Sequence, residues 1–96
     1  MKFSVPITSA ELQNWLRKKG YHPAENKVGV TNFSRRVMPY QPFPKFHIYF
    51  NSLTDGTELD LHLDQKAETR HYQATHAHNA EYDGPLLEQE KQRLLS

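Results

Sequence analysis

Cysteine is absent from this 96-residue chain. Disulfides and thiolate zinc sites are thereby excluded together, so any metal would need histidine and carboxylate ligands. Long apolar runs are missing as well: none approaches the roughly 20 residues that a membrane-spanning helix requires. The opening stretch MKFSVPITSAEL lacks the apolar segment of a secretory signal, which makes a cytoplasmic location, with no membrane partner, the expectation. A large excess of one charge sign is also lacking, with 12 basic residues against 11 acidic ones and a net charge of +1. No repeat and no low-complexity tract divides the sequence, so residues 1–96 read as one domain with room for a single modest core. Without covalent staples, that core or a partner subunit must supply the stability.

The near-neutral total conceals a split. Residues 1–50 carry eight Lys or Arg against two Glu, whereas residues 51–96 carry four against nine acids. Such halves either fold against each other, associate head-to-tail in a homodimer, or offer the basic part to an anionic partner.

Local signals place the elements. In ITSAELQNWLRKKGYHP, Thr8 and Glu11 stand at capping-box spacing, with Ile7 and Leu12 as the hydrophobic staple. Leu12, Trp15 and Leu16 form an apolar stripe, Arg17, Lys18 and Lys19 close the last turn, and Gly20 with Pro23 stops the helix. Lys27 to Met38 reads as a strand whose parity switches near Thr31–Asn32, the mark of a bulge or turn. PYQPFP, with three prolines in six residues, reads as an extended aromatic loop. Gly84-Pro85 opens a final helix with Leu87 and Leu94 on one side. Residues 65–82 contain only Ala and Tyr as hydrophobes and are consistent with a short exposed helix or a loop over the sheet. The expected fold is an α+β two-layer sandwich: a three-stranded antiparallel sheet with N- and C-terminal helices, and a polar, His-rich insertion before the last helix.

The stretch FHIYFNSLTDGTELDLHLDQK alternates almost without interruption. An Asp55-Gly56 type I′ turn would pair Phe50 with Leu61, Ile48 with Leu63, Tyr49 with His62 and His47 with Asp64. Phe46, Ile48, Phe50, Leu59, Leu61 and Leu63 would then pack on the N-terminal helix, and His47, Tyr49, Asp60, His62 and Asp64 would share the uncovered face.

That face can be read as a metal site. If residues 65–82 fold back over it, His47, His62, Asp64 and one of His76 and His78 would converge as ligands for zinc or another divalent transition metal. Asp60 or Glu81 would orient a ligand histidine. Ordinary hydrogen bonding among surface histidines and carboxylates is the simpler alternative. A nucleic-acid reading uses other residues. Lys18, Lys19, Arg35, Arg36 and Lys45 would contact phosphates, and Tyr40, Phe43 and Tyr49 would stack on bases. A binding or regulatory module for RNA, rather than an enzyme, is the expectation that follows, with a metal-binding protein or small metal-dependent hydrolase and a homodimeric interaction module as alternatives.

The layout LQNWLRKKGYH, FSRRV, FHIYF, LDLHLD resembles the HicA-type toxins, small RNA-cleaving proteins with a double-stranded-RNA-binding-domain-like α-β-β-β-α fold. In that family a leucine-rich first helix ends in Gly-aromatic, as Leu12, Leu16, Gly20 and Tyr21 do here, and a strand histidine serves catalysis. The resemblance, over roughly residues 9–64, implies that His47 acts as a general base on a ribose 2′-hydroxyl, with a nearby Lys or Arg stabilising the phosphate and no metal. The combination HLDQK with EYDG is similar to small bacterial proteins of unassigned function, a likeness that carries no mechanism.

Overall fold

A computed structural model describes residues 1–65, the backbone of 80–81, and residues 84–96. The element order is β1 (Lys2–Val5), α1 (Ser9–Lys18), β2 (His22–Asn26), β3 (Gly29–Arg36), β4 (Lys45–Leu53), β5 (Gly56–Asp64), β6 (Ala80–Glu81) and α2 (Pro85–Leu95). The strands form an antiparallel sheet in the order β1-β5-β4-β3-β2, and the two-residue β6 pairs with β5 beyond the part covered by β1. This corrects the three-stranded α-β-β-β-α expectation. The α+β class and the terminal helix hold, but β1 and β2 flank the expected three strands, the short β6 adds to β5, and the chain starts on a strand.

The two longer missed strands, β1 and β2, are edge strands. Lys2–Val5 is only four residues long, too short to show a period, yet it pairs fully with Thr57–Asp60. His22–Asn26 has the sequence HPAEN, with no β-branched or aromatic residue. Its pairing with β3 makes it a strand, and Pro23 is tolerated because an edge strand needs only half its amides. α1 carries the chain from one edge of the sheet to the other.

The local signals around α1 mostly hold. Thr8 is the N-cap and Gly20 takes a left-handed φ of 96°, as a helix stop requires. The capping box does not form: Thr8 makes no side-chain cap bond, and its carbonyl accepts from the Glu11 amide at 2.9 Å. The β2–β3 register shifts at Ala24/Glu25, leaving Thr31 as the extra residue of a bulge. The Thr31 hydroxyl donates to the Ala24 carbonyl. At α2, Gly84 (φ 120°) precedes Pro85 at the first turn.

One face of the sheet and both helices enclose the core. Leu12 and Leu16 from α1 and Leu87 and Leu94 from α2 meet Phe33, Phe46, Ile48, Leu59, Leu61 and Leu63 from the strands, with Val5 and Tyr21. Trp15 packs against this cluster only partly buried. No helix among the described residues is long and apolar enough to cross a membrane.

The β4–β5 hairpin departs from the expected register by two residues. Leu53 pairs with Gly56, so Thr54-Asp55 forms the turn, and Ile48 faces Leu61 while Phe50 faces Leu59. No non-glycine residue among the described residues, Thr54 and Asp55 included, has positive φ, which excludes the type I′ turn. A shift of two keeps every side chain on its face. The apolar set stays inside, and His47 now faces His62 rather than Asp64.

Candidate metal centre on the open sheet face

Among the described residues no helix covers the face opposite the core, which carries the polar residues of β4 and β5. The expected fold-back of residues 65–82 over it lies almost wholly outside the described residues. His47 and His62 are direct cross-strand partners, and Asp64 lies two residues along β5, paired with Lys45. Tyr49, two residues along β4, pairs with Asp60. Alternation along each strand puts all of these on one side, and the inward leucines fix their placement.

Asp64 joins the two imidazoles. His47 hydrogen-bonds through Nδ1 to Asp64 Oδ2, and His62 Nε2 lies 3.4 Å from Asp64 Oδ1. One donor atom from each of the three residues falls within 4.8 Å of the others. The rings are stacked. Tyr49 and His62 are nearly parallel, 5.4 Å apart at 8°, and His47 lies 5.4 Å from His62 and 5.8 Å from Tyr49. His62 is buried, at 8% exposure, on a face that neither α1 nor α2 covers. Tyr49 remains 45% exposed and forms the outer wall. Partial burial would raise the Asp64 carboxyl, but hydrogen bonds from His47 and His62 and their charge outweigh it, holding Asp64 well below the usual carboxylate range. Asp64 is therefore an anion, ready to accept N–H donors or a cation.

Two imidazole nitrogens and one carboxylate are a donor set suited to a first-row divalent ion. Three protein ligands also leave coordination positions for water or a bound molecule. The other expected ligands, His76 and His78, lie outside the described residues. Glu81 belongs to β6, where its backbone pairs with Leu63 beside the site. Asp60, expected to orient a histidine, has its carboxylate 3.6 Å from the Met1 nitrogen.

The expected nucleic-acid residues are dispersed. Lys18 is exposed on α1, and Lys19 in the helix layer donates to the carbonyls of Arg93 and Ser96. Arg35, at an inward position of β3, binds Glu90 through Nη2 at 2.9 Å and Nε at 3.3 Å, and stacks over Phe46. Tyr40 is 77% exposed in the 37–44 loop. Only Arg36, Lys45 and Tyr49 share the open face with the histidines.

A polar centre that sequence reasoning missed lies on the opposite side of the sheet. Glu90 of α2, 3% exposed, accepts from the Tyr21 hydroxyl at 2.6 Å, from Arg35, and from Arg93 at 2.9 Å. Its carboxyl drops to about 2: burial opposes the drop, and bonds from Arg93, Arg35 and Tyr21 overcome it. The same burial and neighbouring carboxylate push the Tyr21 hydroxyl far up. The signal was present in Leu87, Glu90 and Leu94, whose spacing puts an acid on the apolar stripe of α2. The bond from Arg35 to Glu90 also joins the oppositely charged halves of the chain.

Comparison with known protein families, with curated proteins and with solved structures finds no significant match, and nothing in it bears on the HicA-type resemblance.

Proposed function

We propose that this domain binds a divalent transition-metal ion on the open face of its sheet, with His47 Nδ1, His62 Nε2 and an Asp64 oxygen as ligands. One observation supports this reading above the others: an ionised carboxylate lies between two imidazoles from adjacent strands, with all three donor atoms within 4.8 Å. Binding would replace the N–H donors on Asp64 by the cation, since a ligating imidazole nitrogen carries no proton. Tyr49 would hold the His62 ring in place through its stacked phenol.

Cobalt(II) titration, followed by visible absorption and by elemental analysis of dialysed protein, tests the reading. One equivalent is expected to bind. His62→Ala and Asp64→Asn should each weaken binding by roughly 100-fold, because a lost ligand costs at least as much as a lost supporting contact. Stoichiometric binding that survives both substitutions, or no uptake by the wild type, overturns it.

A further inference from the structure

Strand register places a second set of charges beside this site. Arg36 pairs with Lys45, and Lys45 with Asp64, so the three cross the open face as one row. The adjacent row is Ser34, His47 and His62. Residues two apart along a strand share a face, and neighbouring strands stand about 4.8 Å apart, so Lys45 stands beside Asp64 and Arg36 one strand further along the same row.

Neither cation is neutralised by a carboxylate among the described residues. Asp64 is the direct neighbour of Lys45, yet its oxygens are engaged by His47 and His62. The Lys45 ammonium lies 4.8 Å from the Phe43 ring centroid instead. Arg36 donates to the Pro39 carbonyl at 3.1 Å and is otherwise exposed. A divalent ion held by one carboxylate, with two such cations in the neighbouring row, makes a strongly positive spot. Its natural ligand is an anion with one oxygen for the ion and others for the flanking side chains. A tetrahedral phosphate offers that arrangement, and the guanidinium fork of Arg36 matches two of its oxygens.

We propose that the metal-loaded site binds the phosphate group of an anionic ligand, with Lys45 and Arg36 as the residues that select it. The proposal rests on the metal reading above, and the experiment separates the two. Cobalt is first titrated into the wild type, Lys45→Met and Arg36→Gln, with thermal melts confirming that each is folded. Equal cobalt uptake by all three is expected. Orthophosphate and phenyl phosphate are then added to each loaded protein and the cobalt absorption followed. At least one should perturb the wild-type spectrum, and preference between them distinguishes free phosphate from a phosphate ester. Each substitution should weaken that binding by about tenfold, the loss of one charge-assisted contact. Equal phosphate affinity in all three proteins, or a wild-type spectrum that ignores both anions, overturns this inference and leaves the metal site standing. No cobalt uptake in the first titration overturns both.

Discussion

Glu90 occupies a position where a leucine would satisfy the pattern of α2, between Leu87 and Leu94. It is kept charged by two guanidinium groups and a phenol, from β3, α2 and the residue preceding β2. A group whose folded pKa is depressed contributes stability above its unfolded value, and that stability is lost as pH falls through the folded value. For Glu90 the window runs from 4.5 down to about 2. The Glu90→Gln variant should be less stable than wild type near neutrality by on the order of 3 kcal/mol. Urea unfolding at successive pH values should show the gap closing between 4.5 and about 2. A gap independent of pH would show that the carboxylate charge is not what binds the guanidinium groups. Arg35 illustrates the limit of reading single residues. As one of an Arg-Arg pair it looks like a surface phosphate contact, but strand parity sends it inward to Glu90 while Arg36 points outward. Composition does not record that parity; pairing does.

At the scale of the element, the β4–β5 hairpin carries the site, and Gly56 determines how it meets its neighbour. Asp-Gly at a turn ordinarily signals positive φ at both central residues. Here Gly56 is the first paired residue, and its lack of a side chain serves a different purpose. A Cβ there would collide with the Val5 carbonyl oxygen and stand 3.2 Å from the Val5 carbonyl carbon and 3.3 Å from the Pro6 Cα. Gly56→Ala should therefore push β1 away from β5 and destabilise the protein by about 2 kcal/mol or more, the scale of overpacking against backbone. Hydrogen exchange should show the loss concentrated in the β1 amides. Uniformly unchanged exchange would show that the backbone accommodates the methyl. The alternation of β4 and β5 identified both faces correctly even though the register shifted by two, because side-chain direction repeats every second residue. Which imidazole faces which group depends on that register, and the sequence assigned it wrongly.

For the molecule as a whole, the order β1-β5-β4-β3-β2 puts β4 and β5, with β3, in the interior of the sheet, with Ile48, Leu59 and Leu61 fully buried beneath β4 and β5. The histidine site therefore stands on the most protected part of the fold. Native-state hydrogen exchange should find the slowest amides in the β4–β5 pairing and much faster exchange in the exposed edge strand β2. Comparable protection at β2 would contradict this packing. A rigid base matters for a metal centre, since ligands on paired strands keep their spacing with little reorganisation.

Several features were decided by sequence alone: the α+β class, the extent of α1, the Gly84-Pro85 start of α2, an irregularity near Thr31–Asn32 and the division of the hairpin into an apolar and a polar face. Each follows from the period of the side chains or from the conformational limits of Gly and Pro, which act within a few residues. Tertiary structure alone decided the two edge strands, the hairpin register, the bond of Arg35 to Glu90 and the convergence of His47, His62 and Asp64. Those depend on hydrogen bonds and packing between segments far apart in the chain, where a short strand such as HPAEN has no preference of its own and takes its conformation from its neighbour.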